Sequence, residues 1–305
     1  MLKKYIYGVI ALALYACNNH EVVTPHVDVT TSKNTYKVND TIEFKFSGES
    51  DIVTFYSGED GKDYRHKDRT RLENVDIFIN HDTQVLYGSQ SNNLKLFISQ
   101  DFTEDYTAEG IDAATWVDVS DRIQWGLTNG TGAGVRLKST SVRIQDLVKD
   151  ETKPIYFAYR YTGFASTSGS AQQRTWRIYE FNVINNFEDK GLLVTNRAGA
   201  GWKAVNYNAS LKGKWELTTN ATMIYYNPES NLLPAEQWAI SKAIDAYGVD
   251  PDKGVGIKTY ADNMLKSYKY AFSKPGKYNV SFVFKNQNFN GLKEEVKSIE
   301  IEVEP

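Results

Sequence analysis

The run Thr41-Ile42-Glu43-Phe44-Lys45-Phe46-Ser47-Gly48 alternates polar and apolar residues, and the same period of two returns in Ile299-Glu300-Ile301-Glu302-Val303-Glu304. Successive side chains of a strand point to opposite faces, so Ile42, Phe44 and Phe46 share one face and Ile299, Ile301 and Val303 another, with the glutamates toward water. A helix would scatter the same residues around its axis. Further strands are expected at residues 51–59, 94–99, 155–161, 175–181 and 278–284. In 155–161, Ile155, Phe157, Tyr159 and Tyr161 fall on one face, Tyr156 and Arg160 on the other. Aromatics make up 13% of the chain against only 7 Pro, which suits strands and disfavours a helical bundle. Two short strands closed by Gly turns near the start suggest a sandwich, and the long aromatic strands joined by polar loops suit a jelly roll. The expected fold is therefore all-β, one sandwich followed by a jelly-roll, galactose-binding-like β-sandwich.

The N-terminus reads as an address. Lys3 and Lys4 precede the apolar stretch from Ile6 to Leu14, which is too short to span a bilayer and matches a secretory leader. Leu14-Tyr15-Ala16-Cys17 resembles the lipobox of bacterial lipoproteins, which implies cleavage before Cys17 and acylation of its thiol and amine. Cys17 is the only cysteine, so no disulfide is expected. Several acyl chains at one terminus give stable anchoring. Residues 1–17 are then leader plus lipidated Cys, 18–25 a tether, 26–85 the first sandwich and 86–305 the second.

Charge and motifs exclude several functions. With 35 Lys plus Arg against 38 Asp plus Glu, the net charge of −3 offers no basic field for nucleic acid. No Gly-x-Ser-x-Gly elbow and no His-Glu-x-x-His occurs, and the four His all lie within the first 81 residues. His66 and His81 read as loop or surface residues, and the mixed charges of residues 59–71 as a solvated loop. Gly130-Thr131-Gly132-Ala133-Gly134 lacks phosphate-loop spacing and reads as a turn. Asp118 and Asp121 either cap turns or hold a structural Ca²⁺, although no EF-hand ligand spacing is present. No cofactor, metal or catalytic residue is assigned.

The positive signal is aromatic. A sugar ring offers an apolar face and a hydroxyl rim, so its site needs a Trp or Tyr plate beside hydrogen-bonding side chains. Trp202 with Asn206, Trp215, and Tyr225 and Tyr226 beside Asn227 fit that description, while Trp116, Trp176 and Trp238 read as core.

Two resemblances add to this. The run from Val38 to Glu59 and the Pro275-Gly276-Lys277-Tyr278 turn with its following strands resemble PKD-type immunoglobulin-like modules. Trp116-Val117-Asp118-Val119-Ser120-Asp121-Arg122, then Pro154-Ile155-Tyr156-Phe157-Ala158-Tyr159-Arg160-Tyr161, then Arg174-Thr175-Trp176-Arg177-Ile178 are similar in kind and order to the DUF5017 family of Bacteroidetes lipoproteins. The likeness also places a strand, in preference to a helix, around Trp238-Ala239-Ile240-Ser241. It implies a β-sandwich lipoprotein of the outer membrane, with the cell surface favoured over the periplasmic face, associated with SusC/SusD-like uptake systems and binding a polysaccharide. The alternatives are an adhesin or spacer that binds a protein partner and, ranked last, a glycoside hydrolase.

Overall fold

The computed structural model describes residues 21–167, 172–188, 190–208, 215–217, 222–229 and 232–305, so the expected leader and Cys17 lie outside the described residues. The chain opens with β1 (His26–Thr30), β2 (Thr35–Lys37), β3 (Ile42–Glu49) and β4 (Ile52–Tyr56). A long middle section holds β5 (Asp76–Leu86), β6 (Leu94–Ser99), the short helix α1 (Ala108–Ala113), β7 (Val117–Asp118), β8 (Leu137–Lys138), β9 (Val142–Arg143), β10 (Tyr156–Gly163), β11 (Thr175–Phe187), β12 (Lys190–Asn196), β13 (Lys203–Asn206), β14 (Trp215–Glu216), β15 (Ile224–Tyr226) and β16 (Ala235–Ile240). It closes with β17 (Val255–Lys258), β18 (Ser267–Tyr270), β19 (Gly276–Asn288) and β20 (Gly291–Glu304). The protein is all-β, and its sheets pack as sandwiches.

The division of the chain differs from the expected 26–85 and 86–305. One compact unit combines Met1–Thr70 with Val249–Pro305, and the other is Arg71–Gly248. The reason lies in strand pairing that no local pattern encodes. β19 lies antiparallel to β4, with Phe282 opposite Phe55, and β20 lies parallel to β2, with Val303 opposite Tyr36. The last strands thus complete the first unit, and the second is an insertion. At the crossing, the Val249 amide donates to the Thr70 carbonyl (3.0 Å) within the first unit, and the Leu72 amide donates to the Tyr247 carbonyl (2.9 Å) within the second.

The first unit stacks the sheet β1-β3-β18 against β17-β4-β19-β20-β2. Its core holds Ile42, Phe44, Phe55, Phe282, Phe284 and Ile301, with Phe282 meeting Phe44 and Phe55 at 5.2 Å each. Each such ring removed from water contributes roughly 1.5–3 kcal/mol. Ile301 and Val303 point inward and Glu300, Glu302 and Glu304 outward, as the alternation requires. The expected tether is shorter than 18–25, because Val22 and Pro25 are already buried. The charged stretch 59–71 is a loop with one 3-10 turn, yet Asp63 is buried within it, its amide donating to the Asp252 carboxylate (2.8 Å).

The second unit faces β13-β16-β10-β6-β7 toward β14-β15-β11-β5-β8, with β12 and β9 attached to β11 and β5. Phe157, Tyr159 and Tyr161 of β10 are fully buried on one face. Tyr156 and Ala158, on the opposite face, pack with Phe97, Phe102, Ile111 of α1 and Trp238, so this sheet is covered on both sides. Residues 235–240 form a strand, β16, paired with β10.

Candidate functional site

Three segments of the Arg71–Gly248 unit meet where β6 and β11 begin: the polar run 90–94, the loop 120–128 and residues 174–176. They line an open cleft of about 640 Å³, a size that accepts a small ligand or one unit of a larger one. Its apolar wall is indole. Trp125 is half-buried, its Nε1 donates to the Ser120 carbonyl (2.9 Å), and it meets His81 at 4.8 Å and Trp176 at 5.6 Å in edge-on contacts. These contacts fix the plane of a ring that still reaches solvent. Trp176 is 7% exposed, yet its Nε1 has no hydrogen-bond partner among the described residues. A buried indole N–H normally finds an acceptor; this nitrogen is closed off from the surface, so Trp176 offers the cleft ring area and no donor.

The polar side of the cleft is built around Arg174. Its Nε donates to the Gln90 carbonyl (2.6 Å) and its Nη1 to the carbonyls of Tyr87 (2.9 Å) and Gly130 (3.3 Å). The guanidinium thereby ties β11 to the approach of β6 and to the 130–134 turn. Burial lowers its pKa and the neighbouring Tyr161 opposes that pull. An arginine stays charged regardless. Asn92, Thr128, Asp121 and Lys95 complete the lining. Lys95 Nζ is bonded to Asp118 (2.7 Å), whose other oxygen accepts the Ser120 amide (2.9 Å). Burial would raise the Asp118 carboxyl, but the hydrogen bonds from Lys95 and Ser120 outweigh it and hold it below the usual carboxylate range. Asp118 therefore caps a turn. Among the described residues no group of three or more His, Cys, Asp or Glu is placed to hold a metal ion.

Behind the indole wall the interior is unusually polar. His81 on β5 is fully buried and stacked on Tyr159 at 5.7 Å. Among the described residues neither of its ring nitrogens has a hydrogen-bond partner, and the Tyr159 hydroxyl and Trp215 Nε1 lack one as well. Burial pushes the His81 pKa down to about 3 against the opposing pull of Asp82, so the imidazole is neutral. The expectation of a loop or surface residue at His81 is corrected, because Ile77, Ile79, His81, Thr83 and Val85 form one buried file of β5.

The expected aromatic plates are also corrected. Trp202 is 9% exposed and Trp215 7%. Trp202 packs at 5.0 Å from both Tyr159 and Phe181 and donates its Nε1 to the Arg197 carbonyl (3.0 Å). Trp215 lies 5.4 Å from Tyr226, which is buried and stacked on Tyr161 at 3.7 Å. These rings fill the sandwich and present no face to a ligand. Tyr225 is half-buried, while Asn206 and Asn227 are exposed. Asn206 accepts a hydrogen bond from the buried Gln237 (2.6 Å), a structural contact away from the residues that line the cleft. Of the Trp expected in the core, Trp176 and Trp238 are buried and Trp116 half-buried. Trp125 and Arg174 are site residues that the sequence pattern does not single out; the polar run Ser89-Gln90-Ser91-Asn92-Asn93 before an apolar strand marks only its own part of the rim.

A family model described as a domain of unknown function, DUF5017, matches residues 16–202. The chain belongs to the DUF5017 family. The DUF5017 match takes in every residue that lines the indole cleft, and it ends at Trp202, before the strands β13 to β20 that complete both sandwiches. No curated protein and no solved structure matches this DUF5017 chain.

Proposed function

We propose that the chain is a lipid-anchored, non-catalytic protein of the bacterial outer membrane whose inserted unit binds a glycan, on its own or as part of a SusC/SusD-like uptake complex. The observation that carries this reading is the cleft: a half-exposed Trp125 backed by Trp176, and a rim of amide, hydroxyl and charged side chains. An apolar plate edged by directed donors and acceptors is what the two-sided chemistry of a sugar ring requires. Two features favour binding over the alternatives. A hydrolase needs two carboxylates across the scissile bond, whereas Asp121 is the single carboxylate among the described residues lining the cleft. A pure spacer has no use for an accessible indole in a concave site. The stretch from Met1 to Cys17, read as a leader ending in a lipidated Cys, supports the lipid anchor and export.

Affinity electrophoresis of the soluble chain starting at Asn18 against a polysaccharide panel tests this. The expected result is retardation by at least one glycan. Trp125→Ala should weaken it at least about tenfold, or ~1.4 kcal/mol, and Asp121→Ala more modestly, with circular dichroism unchanged. A folded protein that no glycan retards, or a Trp125→Ala variant retarded like the parent, would sink the reading.

A further inference from the structure

The hairpin β19–β20 ends in a two-residue turn, because Asn288 pairs with Gly291 and leaves Phe289 and Asn290 at the tip. Such turns favour Asn, Asp and Gly, and nothing in their geometry calls for Phe. Phe289 is nonetheless 84% exposed. Beside it Tyr260 is 72% exposed, and the two rings face a groove of about 410 Å³ shared with Ile52. Exposed apolar side chains occur singly on any surface, but two aromatic rings across one groove form a patch.

The position of the N-terminal segment says what covers this patch. Asn286, three residues before Phe289, donates its Nδ2 to the Val23 carbonyl (2.9 Å) and accepts the Asp51 amide on its Oδ1 (3.0 Å). The Gln287 amide in turn donates to the Asp51 carboxylate (3.0 Å). The incoming chain is thus fastened to the base of the hairpin tip. Val22 is buried and Val23 is 73% exposed, and five residues from Cys17 to Val22 reach at most about 18 Å even when fully extended. Whatever surface holds Cys17 lies within that distance of this end of the unit.

We propose that the hairpin tip is a membrane-docking element: Phe289, with Tyr260 beside it, seats in the headgroup region of the leaflet that carries the acyl chains. This rests on the reading of Cys17 as lipidated. Aromatic rings are favoured at that level of a bilayer, where one edge is dry and the other wet. The acyl chains supply the affinity, and the tip sets the orientation of the first unit on the lipid surface.

The test uses the full acylated chain carrying Asn290→Cys, which labels the tip and leaves Phe289 in place, in phosphatidylcholine vesicles, with Lys274→Cys as control, since Lys274 precedes the opposite end of β19. A thiol-reactive fluorophore then enters only at the new site, because acylation occupies the Cys17 sulfur. The expected result is one label per chain, and at least threefold weaker quenching by aqueous iodide at 290 than at 274. One label per chain on vesicle-bound protein, quenched equally at both positions, would overturn the docking while leaving the anchor intact. Two labels per chain and no vesicle association would overturn the anchor and the docking with it. Shielding at 290 that is present without vesicles and grows with protein concentration would assign the patch to a second copy of the chain, against the proposal.

Discussion

Residues carry two predictions, both on the interior of the inserted unit. His81 titrates in the unfolded chain near 6.5 and in the folded one at about 3. Below pH 6.5 the unfolded state therefore binds a proton that the folded state refuses, and stability falls as pH falls. The contribution is fully present above 6.5 and is lost progressively toward 3. Between pH 7.5 and 5 the loss amounts to about 2 kcal/mol. Urea unfolding across that range should show it, and His81→Phe, which keeps the ring against Tyr159 and Trp125, should remove this part of the pH dependence; an unchanged pH profile in the variant would refute the assignment. The second prediction separates core from site. Trp202→Ala and Trp215→Ala should each destabilise the fold by about 3–5 kcal/mol, as large-to-small core changes do, whereas Asp121→Ala on the cleft rim should shift the midpoint by less than about 0.5 kcal/mol. Equal, small shifts for all three would contradict the burial of the two indoles.

Elements with a clean period of two are legible in the amino-acid pattern itself: β3, β4, β10, β19 and β20 all lie where alternation places them. β5 escapes that pattern because Asn80-His81-Asp82 reads as a polar break, although Ile77, Ile79 and Val85 keep step across it. Trp202 misleads for a different reason. Gly and Asn around an aromatic residue mark an exposed loop and a closely packed backbone equally well, and only the ring contacts with Tyr159 and Phe181 decide between them. The cleft is illegible because its wall and rim come from three segments that no local pattern links. One element-level requirement is sharp. Gly48 on β3 sits at φ +98°, and a Cβ there would lie 2.0 Å from the His26 carbonyl oxygen on β1. Gly48→Ala should lower stability by at least about 2 kcal/mol through strain and loss of this pairing, read as a shift in the denaturation midpoint without change in its slope. A shift below about 0.5 kcal/mol would show that β1 can move away freely.

At the scale of the whole molecule, the split of the first unit between the two ends of the chain makes the family match and the folding unit different objects. A fragment ending at Trp202, where the DUF5017 match ends, lacks β19 and β20 from one sandwich and β15 and β16 from the other, and should be unfolded or aggregated. Residues 71–248 expressed alone should fold, and joining Thr70 to Val249 through a short linker should leave a folded remainder, since those two residues are already hydrogen-bonded. Circular dichroism and thermal melts of the three pieces decide this; a cooperative melt from the 1–202 fragment would be the contrary result. The same arrangement dictates an order of events during biogenesis. A chain that emerges N-terminus first exposes Phe55 on β4 and Tyr36 on β2 while their partners, β19 and β20, are still to come. The inserted unit can be complete before its host closes. Until the final thirty residues arrive, the earliest strands are open edges, competent to pair with a neighbouring chain. Protection of the strands between His26 and Tyr56 until β19 and β20 arrive would thus govern yield more than protection of the middle of the protein.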